Sequence, residues 1–160
     1  MTPVDFAKME CSVARTLDTI GDRWSLLILR DAFYGVRRFE DFREDLGVAR
    51  NILTDRLQKL VLHGVLDRVQ YEAKPPRFEY RLTDKGRDLL PVVLTMMRWG
   101  NKWTQDAEDY PVTLTHTTCG HDTEPVVTCS HCGEELLRRE LRVDPLPEIV
   151  ARRSAARASA

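Results

Sequence analysis

Apolar residues recur along this chain at two spacings, and the switch between them marks out its elements. In "CSVARTLDTIG", Val13, Ala14, Leu17 and Ile20 form one helical stripe and Gly21 marks its stop. "WSLLILRDAFYG" is nearly continuous in apolar residues up to Gly35, the pattern of a central, mostly buried helix. "RRFEDFREDLG" predicts a short amphipathic helix on Phe39, Phe42 and Leu46, closed by Gly47. A turn of about three residues leads to a helix over roughly 49–62, with Ile52, Leu53, Leu57 and Leu60 at core spacing. Gly64 breaks it.

The period then shortens to two. "LDRVQY" (66–71) and "FEYRL" (78–82) alternate as strands, and the two prolines of the intervening "EAKPPR" fit a turn and exclude a strand centre. This is a β-hairpin with a basic tip. "TDKGRDLLPVVLTMMRWGNKW" returns to helical spacing, with Thr83 as N-cap and Leu89, Leu90, Val93, Leu94, Met97 and Trp103 on its apolar side. Pro91 and Gly100 cost helix stability, which predicts a kink or a late start after Pro91. A polar link, "QDAEDYP", precedes residues 112–143, which alternate as short strands around "CGHDTEPVVTCSHCG". "PLPEIVARRSAARASA" reads as a loose tail.

The helix over 49–62 has a second face that nothing apolar covers: Arg50, Asn51, Thr54, Asp55 and Gln58. Helix, three-residue turn, helix and then a two-stranded hairpin is the order of a winged helix-turn-helix. In that architecture the second helix enters the major groove of DNA with its N-terminal residues towards the base edges. Arg and Asn make bidentate pairs with guanine and adenine, so Arg50 and Asn51 suit base reading and Thr54 suits general groove contacts. Phosphate contacts fall to Arg37, Arg38 and Lys59, with Lys74 and Arg77 from the hairpin tip.

Charge changes this picture modestly. The net charge is −1, yet residues 37–87 carry twelve basic and nine acidic groups while 88–149 carry five and eleven. The positive excess sits on the stretch with the polar helix face, as a phosphate-facing surface requires. With 42% hydrophobic and 31% charged residues the chain has the composition of a globular protein, long enough for one ordinary domain and an appendage. No apolar run approaches the length of a membrane span, and "MTPVDFAKMEC" lacks the pattern of a secretory signal. The expected compartment is the cytoplasm, with the four cysteines kept as thiols.

Residues of about 11–103 resemble the HxlR-type family of bacterial winged helix-turn-helix transcription regulators, related to the MarR group. The resemblance rests on "CSVARTLDTIGDRWSLLILRDAFYGVRRFEDFRE", "ILTDRLQKLVLHGVLDRV" and "PPRFEYRLTDKGRDLLPVV". It implies a homodimer built from the first and last core helices, "SVARTLDTIG" and "LLPVVLTMMRWGNKW", on a palindromic operator near a promoter, with repression favoured over activation. Two positions depart from the family. Ser12 stands where proline usually follows the first cysteine, and Ala49 stands where the recognition helix often begins with serine. Losing that cap costs a helix about 1 kcal/mol. In some members a cysteine at the place of Cys11 senses oxidants or electrophiles, and amides at a helix N-terminus would favour its thiolate. A small residue buried at a dimer seam is the alternative use.

The remaining cysteines form a third constellation, Cys119-Gly-His121 and Cys129-Ser-His131-Cys132-Gly133. Cys-x-x-Cys-Gly is a knuckle that aims two thiolates at one metal, and a second pair closes a tetrahedral site. The expected ion is structural zinc on Cys119, His121, Cys129 and Cys132, with His116 or His131 as the alternative fourth ligand. The competing expectation is a hairpin extension with free thiols. The stripe Met96, Met97, Trp99 and Trp103 fits a dimer core or, as in related regulators, the lining of a small-effector pocket. No Gly-rich phosphate loop, metalloprotease helix or nucleophile–base pair points to an enzyme.

The expected organisation is therefore a mainly α domain with a β-hairpin wing over 1–104, which binds DNA and dimerises, a zinc-ribbon-like β extension over 105–144, and a flexible basic tail over 145–160. A different class of function remains open: a winged scaffold acting as a protein-interaction module through its C-terminal ribbon.

Overall fold

The computed structural model describes residues 5–104, 112–145, 147, 149–151 and 154. The chain divides into two compact units, 1–125 and 126–160. In the first, α1 (Ser12–Ile20), α2 (Arg23–Phe33), α3 (Phe39–Leu46) and α4 (Arg50–Leu62) precede the antiparallel pair β1 (Leu66–Ala73) and β2 (Pro76–Leu82). A one-turn helix, α5 (Asp84–Arg87), and the longer α6 (Leu90–Thr104) follow, then the two-residue strands β3 (Thr115–His116) and β4 (His121–Asp122).

Local chemistry sets most of these boundaries. Asp22 caps α2 by accepting hydrogen bonds from the backbone N–H groups of Trp24 and Ser25. Thr83 caps α5 by accepting one from the N–H of Gly86. Gly47 takes φ +59°, the left-handed conformation that ends α3 and turns the chain into α4 within three residues. Ala49 occupies the N-cap of α4 in an extended conformation and offers no side-chain cap.

The core is the apolar side of this arrangement. Ile28 and Leu29 of α2, Phe42 of α3 and Leu53, Leu57 and Leu60 of α4 are fully buried, with Val65 and Leu66 leading into the wing. Ile52 packs half-buried against them. Three buried leucines on one side of α4 leave its other side free to carry polar residues.

The sequence and the fold differ at four places. The wing strands run longer than the alternation suggests: the turn is only Lys74–Pro75, and Pro76 opens β2, a first-residue position where the missing N–H is tolerated. Pairing shifts between Gln70 and Glu72, so Tyr71 is bulged out of register. Residues 37–38 also join the wing, through an Arg38–Glu79 bridge and a hydrogen bond from the N–H of Tyr80 to the carbonyl of Arg37. Past 112, the expected run of short strands is reduced to β3, β4 and one Thr128–Glu135 bridge, because the turns dominate so short a segment. The link over 105–111 lies outside the described residues. So does most of the basic tail; of its described residues, 147, 149–151 and 154 are helical and 145 is not.

Pro91 sits in the first turn of α6, where no intrahelical N–H is lost, so the helix starts at Leu90 and not after the proline. No residue of α6 is fully buried, and Leu90, Val92, Met96, Trp99 and Trp103 are exposed. None of the helices is long and apolar enough to cross a membrane, among the described residues.

Candidate nucleic-acid interface

The polar side of α4 and the wing form one surface. A cleft of about 520 Å³ separates them, lined by Arg50, Thr54 and Gln58 from α4, Arg68 and Tyr80 from the strands, and Phe39 from α3. Three of the expected reading residues, Arg50, Thr54 and Gln58, therefore share one trough. Asn51 and Asp55 are exposed on the same helix.

Arg50 is the most constrained of them. Its Nη2 lies 2.5 Å from Oε1 of Glu40, and its guanidinium sits 5.0 Å from the centroid of the Phe39 ring. Thr54 is less available than its polarity suggests, since its hydroxyl donates 2.8 Å to the carbonyl of Arg50. Asp55 pairs with its neighbour Arg56 at 2.6 Å, which places an acid on the exposed ridge and would repel phosphate unless it accepts from a cytosine amine.

The expected phosphate contacts divide. Arg37 and Arg38 are exposed at the base of the wing, and Arg38 lies 5.1 Å from the centroid of the bulged Tyr71. Lys74 is exposed at the wing tip, and Arg77 beside it pairs with Glu72 across the strands at 3.2 Å. Lys59 is half-buried. Burial works to raise the Asp22 carboxyl, but hydrogen bonds from the Ser25 side chain and amide, with the charges of Arg56 and Lys59, outweigh it and hold it below the ordinary aspartate value.

Two residues of this surface escape the sequence reading. Arg68 lies on β1 with its guanidinium 3.4 Å from the Phe78 ring, facing the trough; the period-two alternation contains it, but only the register to β2 shows the stacking. Glu40 reads as an ordinary exposed helix acid, and its contact across the turn to Arg50 has no local sequence signal.

A profile of the HxlR-like helix-turn-helix family matches residues 19–108. The chain belongs to that family. The HxlR-like chain is 45% identical over 141 residues to an uncharacterized HTH-type transcriptional regulator of Mycobacterium tuberculosis, covering 88% of this chain and 89% of the relative. It is also similar to the crystal structure of PA1607, described as a candidate transcription factor, with TM-score 0.80, 39% identity, and 89% and 100% of the two chains covered. The oxidized form of the redox regulator HypR matches with TM-score 0.55 and 37% identity over 60% of this chain and 99% of its own. The HxlR-like chain is thus a winged helix-turn-helix transcription regulator, a family of DNA-binding proteins and not of enzymes.

Its cysteines are all free thiols. Cys11 is exposed at the N-cap of α1. In the first unit, the β3–β4 turn carries Cys119 beside Gly120 at φ +74°, and the side chain set against the Cys119 sulfur is that of His116, its Nδ1 3.3 Å away. His121 stands opposite His116 in the strand pair. In the second unit, Cys129 and Cys132 flank a turn ended by Gly133 at φ +79°, with the N–H of Gly133 donating to the carbonyl of Cys129 at 2.9 Å. Backbone N–H groups of Cys132 and then His131, with the Cys132 thiol, lower the Cys129 pKa from its ordinary value. Among the described residues, no group of three or more His, Cys, Asp or Glu side chains is gathered closely enough to hold a metal ion.

Proposed function

We propose that this regulator is a repressor that binds a palindromic operator as a homodimer, with α4 in the major groove and the wing on the flanking backbone. The observation that carries the reading is the trough itself: Arg50, Thr54 and Gln58 on an uncovered helix face, opposite Arg68 on the wing. Asn51 and Arg50 read bases; Arg37, Arg38, Lys74 and Arg77 hold phosphates. Repression follows from an operator that overlaps a promoter, as the family resemblance implies.

The proposed dimer rests on the first and last core helices. Val13 is 67% exposed on α1, and Trp99 and Trp103 are 63% and 66% exposed on α6. Large apolar side chains of this kind are disfavoured in water, and a second copy would bury them. The same stripe remains the proposed lining of any small-effector site. Cys11, exposed at a helix N-terminus, is proposed as the redox-responsive thiol, in keeping with the similarity to HypR. Alkylation of Cys11 that leaves operator affinity unchanged removes that role.

Structural zinc remains a proposal that rests on donor chemistry alone, the Cys-x-x-Cys-Gly turn of Cys129 and Cys132 supplying one thiolate pair. What supports the ion is the form of that turn, ended by Gly133 at φ +79°.

The experiment that tests the DNA reading is selection of bound duplexes from a random pool by the full-length protein. Enrichment of a two-fold symmetric sequence supports dimeric readout. Failure to enrich any sequence overturns it and favours a protein-interaction role for the winged core.

A further inference from the structure

We propose that Glu40 is a specificity-determining residue of the DNA interface, positioning Arg50 for a base edge and opposing its use on phosphate. The inference rests on the reading of α4 as the base-reading helix. Glu40 lies in the first turn of α3, where an acid is favoured by the helix dipole. It reaches across the turn of the helix-turn-helix to the first residue of α4. Its Oε1 holds Arg50 at 2.5 Å while its Oε2 holds Arg43 at 3.0 Å.

The Phe39 ring lies under the Arg50 guanidinium, 5.0 Å from ring centroid to guanidinium carbon. One edge of the guanidinium is therefore fixed by a carboxylate and one face by an aromatic ring. The side chain still has 62% of its surface open to solvent, so the fork is held but not hidden.

Such a clamp does little for folding, because an ion pair this exposed is largely screened. Its consequence lies in binding. A long arginine loses rotamer freedom on docking, and one already held loses less. Guanine needs two N–H groups of the fork in fixed geometry, which a clamped guanidinium can offer. Phosphate needs only nearby positive charge, and the Glu40 carboxylate reduces that charge at this spot. Glu40 therefore favours the specific contact and weakens the non-specific one.

The test compares wild type with Glu40→Gln, Glu44→Gln and Arg50→Ala, all full length. Each is titrated against the duplex that wild type enriches, its single-base variants and a scrambled duplex. Thermal melting first checks that each variant is folded. Glu40→Gln should bind the scrambled duplex several-fold more tightly, and its specificity ratio should fall by a similar several-fold. It should lose preference at the same base pair as Arg50→Ala. Glu44→Gln, which removes the same charge from the same helix, should leave the ratio within about twofold. An unchanged ratio in Glu40→Gln overturns the proposal, and so does an equal fall in Glu44→Gln. A wild type that enriches no duplex overturns the DNA reading itself, and this inference with it.

Discussion

The guanidinium of Arg56 in α4 lies 3.0 Å from the carboxylate of Asp22, the residue that caps α2. One acid thus serves two elements: it completes the first turn of the central helix and neutralises a half-buried arginine on the helix that carries the reading face. Asp22→Ala should cost about 1–2 kcal/mol, on the scale of a lost N-cap. Calorimetry should show a melting point several degrees lower. The pH dependence has a definite sign. Because the folded Asp22 pKa is depressed, its stabilisation is fully present above the unfolded-state value of about 4 and is lost as pH falls through the lower folded value. Asp22→Ala should therefore flatten the acid limb of the stability curve and leave its neutral plateau lower.

Helix α4 begins without a side-chain cap, although Ala49 already has the extended backbone that a capping residue adopts. Ala49→Ser should raise stability by about 1 kcal/mol, with the hydroxyl accepting from an otherwise unmatched N–H of the first turn. Chemical denaturation should show a higher midpoint with an unchanged slope. A lower midpoint would mean that the first turn of α4 is not formed as described.

The exposed apolar residues of α1 and α6 are proposed to meet in the dimer. Trp99→Glu, at a position 63% exposed in the chain, should leave the fold intact and shift sedimentation from dimer to monomer. DNA affinity should fall with it, since each subunit then binds one half-site alone. A variant that remains dimeric places the seam elsewhere.

For the proposed zinc, purification without chelator should return about one ion per chain, and Cys129→Ser or Cys132→Ser should release it. Much less than one zinc per chain in the wild type removes the ion and leaves free thiols.

The core elements were legible because each carries its own local chemistry. Leu53, Leu57 and Leu60 announce α4 by spacing, and Gly47 announces the turn before it by the conformation it alone tolerates cheaply. The wing was legible in its alternation but not in its length, since a proline at the first position of a strand breaks no ladder bond. The site was legible one residue at a time. That Arg50 suits a base edge follows from its type and place; that Glu40 and Phe39 clamp it depends on two helices meeting across a turn, which no periodicity encodes. Lys59 shows the converse. Its charge looks outward in sequence, yet the fold leaves the residue half-buried.

The central claim is that the uncovered ridge of α4 reads DNA bases. Its most direct measurement is the affinity of Asn51→Ala and Lys74→Ala for every single-base variant of the duplex that wild type selects. Asn51→Ala should lose about 1–3 kcal/mol of preference at one position per half-site, whereas Lys74→Ala should weaken all variants alike and reduce the salt slope by about one. An Asn51→Ala protein with the wild-type preference at every position would contradict the account.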